Sequence, residues 1–221
     1  MDVLNFKNII NFGCDLNFNL PFKVENNSVL EIGFGNGEFT VKYARSHPEI
    51  FLYAVEISKA CVIRCVKRAK DLSNLKIIRT DARYMLKELF PDESLNKIIM
   101  NFPCPWPGNK HAHRRVTAKD FADGLASVLK INSEFQFTSD DENYSNEVWK
   151  ILGAHEALNP EKFEINSEIA YLTKYGRKWL NEGKNIYSLT FRKIKKFSVE
   201  RQIINNSQIK INKINFFYKK Q

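Results

Sequence analysis

The chain has 221 residues, of which 43% are hydrophobic and 27% are charged. These proportions are typical of a globular protein and exclude wholesale disorder or a fibrous repeat, so we expect one large domain with an appendage. Lys and Arg outnumber Asp and Glu by nine, which favours a polyanionic partner such as nucleic acid.

The first half of the chain alternates predicted strands with predicted helices. Strands are expected at 28–33, 51–57 and 75–80, and helices at 38–45 and 59–72. Strands that alternate with helices pair in parallel through right-handed crossovers. This half therefore predicts a parallel sheet with helices packed against it.

The second half of the chain continues the alternation of strands and helices, and the pattern becomes less regular after residue 153. Its expected elements are a strand at 96–102, a helix at 117–129 with Thr117 as N-cap, a strand at 134–138 and a helix at 142–153. A late strand at 186–192 would close the sheet in antiparallel orientation. The whole pattern predicts an α/β fold with a doubly wound, mostly parallel sheet.

Residues 194–221 differ in composition from the rest of the chain. They carry seven basic residues and one acid, and they include the aromatic run at 216–218. We therefore predict a domain over residues 1–193, with 1–23 as an N-terminal extension, followed by a basic tail. Three interpretations of the tail stay open: a strand, a segment docked on the domain or on RNA, or a disordered end that aids solubility.

A glycine-rich turn follows the first predicted strand. Gly33, Gly35 and Gly37 stand between this strand and the next helix, where glycine lets the backbone approach a ligand closely. The spacing is tighter than the G-x-G-x-x-G dinucleotide motif, and the chain has no G-x-x-x-x-G-K-[ST] phosphate loop. The three glycines are therefore candidates for binding a cofactor.

Three acids lie near the carboxyl ends of the first three predicted strands. Glu56 can accept hydrogen bonds from both hydroxyls of a ribose, and Asp81 can accept one from the amino group of an adenine. Glu31 adds negative charge near the ligand, which suits a cationic cofactor better than a pyrophosphate. The pattern favours S-adenosylmethionine over NAD; the alternative is a doubly wound fold whose acids cap helices.

A stiff aromatic loop follows the fourth predicted strand. Asn101 lies in this strand, and the segment 103–107 contains three prolines together with Trp106. Next come basic side chains that can hold phosphate at short range: Lys110, His111, His113, Arg114 and Arg115. An aromatic residue beside a basic run is typical of stacking on a base while holding a nucleic-acid backbone. The alternative is a core Trp106 beside a solvated basic face.

Cysteine spacing and the N-terminal sequence indicate the compartment. The four cysteines form no disulfide framework, and Cys61-x3-Cys65 lacks the second pair of a zinc site, so we expect a reducing compartment and no metal. The chain opens without a basic stretch followed by an apolar one, and no run of about 18 apolar residues occurs. We therefore expect a soluble, cytoplasmic protein that does not bind membranes.

Four segments together resemble the bacterial tRNA (guanine-N7)-methyltransferases. They are residues 30–37, 55–57, 101–115 and 138–144. The Phe-Pro-x-Pro-Trp loop that runs into His-x-x-Arg-Arg is the specific element. The resemblance implies a Rossmann-like class I methyltransferase fold, S-adenosylmethionine as cofactor, and methylation of guanine N7 in the tRNA variable loop, at position 46, by a monomer.

The resemblance, together with the residue types above, implies roles for individual residues. Catalytic roles fall on Cys104, His111, Arg114 and Asp140, the last of which would hold the target base. Cofactor binding falls on Glu31, Gly33, Gly35, Gly37, Glu56, Asp81 and Asn101. Substrate binding falls on Trp106, Lys110, Arg115, Ser139, Glu142 and Thr173.

Two departures from the family pattern remove expected carboxylates. Cys104 stands where the family has Asp, and Gly176 stands where the family's Thr-x-x-Glu, beginning here at Thr173, has Glu. Three interpretations of Cys104 stay open. It is a neutral packing residue, or a thiolate favoured by the neighbouring basic residues, or the sign of a chain that binds tRNA without modifying it. We expect a working methyltransferase; the alternatives are a catalytically impaired tRNA-binding paralogue and a methyltransferase acting on protein or small molecules.

Overall fold

The computed structural model describes residues 9–11, 21–106, 115 and 117–200. Within these residues eight strands form one sheet, and six α-helices pack against it. The strands are β1 (Ile9–Asn11), β2 (Ser28–Ile32), β3 (Phe51–Glu56), β4 (Leu75–Arg79), β5 (Leu95–Asn101), β6 (Leu129–Ser139), β7 (Leu158–Ile165) and β8 (Tyr187–Lys193). The helices are α1 (Glu38–Ser46), α2 (Lys59–Arg68), α3 (Ala82–Leu89), α4 (Lys119–Val128), α5 (Glu142–Gly153) and α6 (Lys174–Asn181), and a short 3-10 helix spans Glu168–Leu172.

The order in which strands are added to the sheet reverses in its middle. The order is β1-β4-β3-β2-β5-β6-β8-β7. Within the described chain every neighbouring pair is parallel except the two that β8 makes with β6 and β7. The predicted α/β sheet with an antiparallel closing strand is therefore confirmed. In such a sheet ligands bind outside the carboxyl ends of the strands where the order reverses, here between β2 and β5.

Two apolar layers hold the helices on opposite faces of the sheet. Along β3, Leu52 and Ala54 pack into the layer that contains α1 and α2, whereas Tyr53 and Val55 pack into the layer that contains α3, α4 and α5. Successive side chains of a strand point to opposite faces, so a strand buried on both sides reads as a continuous apolar run. This explains why β3 was recognisable in the sequence.

Several elements in the second half of the chain were not predicted. The strand β7 lies at the edge of the sheet, is mostly exposed, and carries a register shift next to Pro160. Proline and a bulge are tolerated at an edge but weaken the strand pattern. Helix α6 buries only one of its residues, Gly176. Neither element therefore shows a clear apolar pattern in the sequence. Helix α3, in the first half of the chain, and the 3-10 helix were not predicted either.

Three predicted boundaries are wrong. Helix α4 begins at Lys119 with Ala118 as N-cap, because the Thr117 hydroxyl donates instead to Oε1 of Glu147, at 2.8 Å. Strand β6 begins at Leu129, not at residue 134, and α2 ends at Arg68, not at residue 72.

Both predicted appendages contact the domain. Phe22 is buried in the core, and its backbone N–H donates to the carbonyl of Leu89 at 2.8 Å. At the other end, the Phe197 ring lies 4.8 Å from the His155 ring, measured between centroids. The start of the tail is therefore docked on the domain, whereas residues 201–221 lie outside the described part. No helix among the described residues is long and apolar enough to cross a bilayer.

Candidate active site

The glycine turn between β2 and α1 leaves open space for a ligand. Gly33 and Gly35 have φ angles of 75° and 55°, and an added Cβ at either position would meet no atom within 4 Å. The Gly33 N–H donates to the carbonyl of Val55 at 2.8 Å. Positive φ is strained for residues with a Cβ, so glycine here shapes the turn and keeps its outer surface free.

Gly37 serves a different purpose from the other two glycines. It has φ 74°, and an added Cβ would lie 2.3 Å from Sγ of Cys65 and 2.9 Å from its Cα. Cys65 is fully buried in α2, and burial raises the pKa of its thiol to about 12. Gly37 therefore lets α2 pack against the start of α1, and its side of the turn faces protein instead of open space.

Glu56 at the end of β3 orients the glycine turn. Its Oε2 accepts from the Gly35 N–H at 3.0 Å, and its Oε1 accepts from the Ser58 N–H at 2.8 Å. Ser58 is the N-cap of α2. Each carboxylate oxygen can accept a second hydrogen bond. The carboxylate is thus fixed beside the turn and retains acceptor capacity for further donors.

Glu31 is buried two residues before the glycine turn, where its neutral form is favoured. It is 2% exposed, and its Oε2 accepts from the Thr40 hydroxyl at 2.7 Å. Burial, with a smaller contribution from nearby Glu56, raises the pKa of Glu31 to about 8, against the lowering effect of the Thr40 hydrogen bond. Burial therefore favours the neutral form of this carboxyl. Within the structure Glu31 is a buried hydrogen-bonding group, and its role as a negative charge beside a cationic cofactor stays a prediction.

Asp81 follows β4, as predicted, but α3 uses its carboxylate. It is the N-cap of α3, and its Oδ1 accepts from the Arg83 N–H at 3.0 Å. The Arg83 guanidinium also pairs with it, with Nε 2.8 Å from Oδ1. An adenine amino group at this position would have to share the carboxylate with Arg83.

A row of buried polar atoms lies across the neighbouring strands. Asn101, Thr138 and Ser188 are in register on β5, β6 and β8, so their side chains share one face of the sheet. Among the described residues, Asn101 Nδ2, Thr138 Oγ1 and Ser188 Oγ have no hydrogen-bond partner. Such atoms are rare in folded proteins and point to a bound group or water. Asn101 lies at the switch point, where the cofactor role predicted for it would place it.

The loop after β5 has a strained backbone. Phe102 and Trp106 have φ angles of 51° and 45°, values that bulky residues seldom adopt. The Phe102 N–H donates to the carbonyl of Thr138 at 2.7 Å. Cys104, between them, is exposed. Strained backbone persists where surrounding contacts hold it, and it is common at functional sites.

Arg115 makes the contacts that hold the loop after β5 in place. Its Nε donates to the carbonyl of Pro105 at 3.1 Å, and its Nη2 donates to the carbonyl of Trp106 at 3.0 Å. Its Nη1 donates to Oε2 of Glu147 in α5 at 2.8 Å. The prediction that Arg115 binds substrate is therefore corrected, because its guanidinium is largely buried and ties the loop to α5. The other predicted basic residues, Lys110, His111 and Arg114, lie outside the described residues.

The residues after β6 surround the start of α5. Ser139 Oγ accepts from the Asp141 N–H at 3.1 Å, and Asp141 is the N-cap of α5. Asp140 Oδ2 lies 3.8 Å from Nζ of Lys184, and the Asp140 side chain is 29% exposed. Glu142 is exposed in the first turn of α5. Asp140 thus stays accessible to a substrate, whereas the Ser139 hydroxyl supports the turn.

The Thr173 to Gly176 segment caps α6. The Thr173 hydroxyl accepts from the Gly176 N–H at 2.8 Å, and Thr173 is buried, so its predicted contact with substrate is replaced by a structural one. A Cβ at Gly176 would lie 1.9 Å from the carbonyl oxygen of Ala170. Glycine at this position is therefore required by the packing of the 3-10 helix against α6, and the backbone as it stands cannot accept the family's glutamate.

Residues that the sequence did not reveal complete this side of the site. Glu147 receives both Arg115 and the Thr117 hydroxyl. Tyr175 contacts Phe102, with ring centroids 5.5 Å apart, and Lys184 contacts Asp140. No local motif marks them, because each becomes part of the site only through contacts distant in sequence.

Known proteins resemble this chain in sequence and in fold. Residues 25–189 match the family model described as "Putative methyltransferase". The chain is 40% identical to the tRNA (guanine-N(7)-)-methyltransferase of Thermotoga maritima, covering 78% of this chain and 56% of the relative. It is 34% identical to that of Aquifex aeolicus, covering 79% and 59%, and 31% identical to that of Colwellia psychrerythraea, covering 78% and 73%. The chain thus spans a little over half the length of the first two relatives.

Solved structures share the fold. The 16S rRNA (adenine(1408)-N(1))-methyltransferase of Catenulisporales acidiphilia matches with a TM-score of 0.58 at 13% identity, over 80% of this chain and 90% of that one. TrmN of Thermus thermophilus matches with a TM-score of 0.57 at 17% identity, over 76% of this chain and 44% of that one. Together with the motifs at the switch point, the sequence matches show that the chain belongs to the tRNA (guanine-N7)-methyltransferase family.

Proposed function

We propose that the chain transfers a methyl group from S-adenosylmethionine to N7 of a guanine in the variable loop of tRNA, at position 46. The observation that carries this proposal is the meeting of two loops at one switch point: the glycine turn after β2 and the strained loop after β5. Family membership supports the same reaction. We further propose a cytoplasmic monomer, in line with the family.

Three features of the described residues fit S-adenosylmethionine. The open turn at Gly33 and Gly35 admits a ligand against the backbone, and Glu56 offers acceptors to ribose hydroxyls. The buried, unpartnered Nδ2 of Asn101 is a donor suited to an anionic or carbonyl oxygen. When bound, the cofactor supplies an electrophilic methyl group. The chain's residues therefore have to bind it, orient it and exclude water.

Guanine needs orientation more than activation. Its N7 carries a free lone pair at neutral pH, so no residue has to remove a proton before the attack. Holding two reactants in the right geometry can supply a large part of the rate enhancement. Asp140, accessible at the end of β6, would accept hydrogen bonds from N1 and N2 of the guanine and fix its edge. This role needs no general base elsewhere in the site.

Phosphate binding rests on the basic segment after Trp106. Lys110, His111 and Arg114 keep the role that the sequence predicts for them, and Trp106 keeps its role in stacking. Arg115 is not counted among the phosphate-binding residues, because its guanidinium hydrogen-bonds to the carbonyls of the loop after β5. Binding to tRNA should weaken steeply with salt, since several phosphate contacts release counterions.

Cys104 removes one carboxylate from the site without abolishing the proposed reaction. Losing one stabilising group of an active site costs about 10²–10³ in rate by analogy with oxyanion-hole deletions. Restoring the acid with Cys104→Asp should raise turnover on tRNA or leave it unchanged, as measured by steady-state methyl transfer. A collapse of turnover in this variant would show that the thiol has a role of its own.

Methyl transfer from labelled S-adenosylmethionine to unmodified tRNA tests the function. The expected result is labelled 7-methylguanosine, mapped to the variable loop. Label on another nucleotide would overturn the assignment of substrate atom. Preserved binding of cofactor and tRNA without any label would instead support the impaired paralogue, whereas label on protein or small molecules alone would exclude tRNA as the substrate.

A further inference from the structure

Tyr175 is an exposed aromatic residue beside the strained loop after β5. It lies in the first turn of α6 and is 53% exposed. One side of its ring meets Phe102, in the strained loop, with centroids 5.5 Å apart. It also contacts Trp179, with centroids 5.4 Å apart at an interplanar angle of 74°. The ring is thus held in place on two sides while about half of the residue stays open.

A continuous chain of contacts links Tyr175 to the acid predicted to hold the base. The Lys184 ammonium lies 3.5 Å from the centroid of the Trp179 ring, and the same ammonium lies 3.8 Å from Oδ2 of Asp140. Phe102, which directly follows Asn101, forms the other end of this chain. Tyr175 therefore contacts the loop after β5 directly and is linked to Asp140 through Trp179 and Lys184.

We propose that Tyr175 is the surface on which the target guanine stacks during methyl transfer. This inference rests on the proposed function and deepens it. Bases stack favourably on aromatic side chains, with contributions of about 1–3 kcal/mol per base. A residue ordered by two neighbouring rings gives such a surface at low entropic cost, since its side chain is already fixed.

The reaction gives an aromatic surface a further advantage. As the N7 lone pair of guanine forms its bond to the methyl carbon, the carbon–sulfur bond breaks and its electron pair stays on sulfur. The positive charge of the sulfonium thereby passes to the purine. A cation over an aromatic face is stabilised by the negative potential of that face. Stacking on Tyr175 should therefore strengthen towards the transition state and raise kcat more than it lowers KM.

Matched variants separate this role from simple packing. Tyr175→Phe keeps the aromatic face, Tyr175→Leu keeps apolar area without it, and Tyr175→Ala removes both. Tyr171→Ala is the control, because Tyr171 is 54% exposed and lies in the adjacent 3-10 helix. We expect Phe to stay within about twofold of the parent in kcat, and Leu and Ala to lose about tenfold. Cofactor affinity should not change in any of them.

The assay uses the full chain, unmodified tRNA and labelled S-adenosylmethionine, and it determines kcat and KM for tRNA. A second readout titrates 7-methylguanosine and guanosine against the same proteins; the parent should prefer the cationic nucleoside, and Tyr175→Ala should lose that preference. If Tyr175→Ala matches Tyr171→Ala, or if Leu matches Phe, the inference is wrong. If the parent itself forms no 7-methylguanosine, the proposed function fails instead.

Discussion

The two halves of the site are built in different ways. The proposed cofactor half, at the carboxyl ends of β2 to β4, joins residues of one β-α-β unit: the Gly35 N–H and Glu56 are 21 positions apart, and Ser58 and Glu56 are two apart. The proposed base half, around β5, β6 and α6, joins more distant residues: Arg115 contacts Glu147, 32 positions away, and Phe102 contacts Tyr175 in α6. The first half is therefore visible as a motif, whereas the second exists only after the chain has folded.

This difference assigns separate tasks to the two halves. The glycine turn and Glu56 belong to one supersecondary unit, β2-α1-β3, so we expect this unit to hold the cofactor independently of α5 and α6. The loop after β5 depends on Arg115, Glu147 and Tyr175, which come from three further segments. Changes in the second group should impair the reaction on tRNA and spare the cofactor.

The largest effect is expected from releasing the loop after β5. Arg115→Ala removes the donors to the carbonyls of Pro105 and Trp106, so the loop should lose its strained conformation. A misplacement of about 1 Å can cost about 10²-fold in rate, and we expect single-turnover methyl transfer to tRNA to fall by that order. Glu147→Ala should give a smaller loss, because the two carbonyl contacts remain. Unchanged methyl transfer in both variants would show that the contacts of Arg115 with the loop and with Glu147 do not matter for the reaction.

Restoring the family's glutamate at Gly176 should harm the protein. A Cβ there would overlap the Ala170 carbonyl oxygen, and overpacking typically costs about 1–3 kcal/mol. We expect Gly176→Glu and Gly176→Ala to lower the unfolding free energy in urea by similar amounts without raising turnover. If Gly176→Glu increased methyl transfer, the packing of the 3-10 helix against α6 would have been misjudged.

Two glycines of the turn should respond differently to alanine. Gly37→Ala places a methyl group against Cys65, which should cost about 1–3 kcal/mol of stability in addition to the strain of its positive φ. Gly35→Ala meets open space, so it should cost only the strain of its positive φ, about 1 kcal/mol, while weakening cofactor affinity. Thermal unfolding and equilibrium cofactor binding, measured on both variants, check this contrast. Equal losses of stability would contradict it.

A further prediction concerns the pH dependence of stability. Since the pKa of Glu31 is about 8 in the folded chain and 4.5 is its ordinary value, the folded state holds a proton that the unfolded state releases between these values. Stability should therefore fall as the pH rises from about 5 to 8. Glu31→Gln removes this contribution. Urea unfolding of both proteins should show the parent losing stability relative to the variant over this range, and a constant difference would contradict the raised pKa.

Sequence reasoning predicted the fold and the positions of the glycine turn and Glu56, because short local patterns mark each of them. The buried strands β2 to β5 read as apolar runs, and Glu56 follows such a run directly. It failed at α6, where one residue is buried, and at the edge strand β7. It also misassigned Arg115, because a basic residue in a basic segment gives no sign that loop carbonyls and Glu147 will occupy its guanidinium.

The division of the site into two halves is tested most directly by one measurement: the equilibrium dissociation constant of S-adenosylmethionine for the parent chain, Glu56→Ala and Arg115→Ala. Hydrogen bonds to a charged group contribute about 1.5–3 kcal/mol, so Glu56→Ala should weaken cofactor binding about tenfold or more. Arg115→Ala should leave it within about twofold of the parent. Equal weakening in the two variants would contradict the division, since it would mean that the loop after β5 and the glycine turn bind the cofactor as one unit.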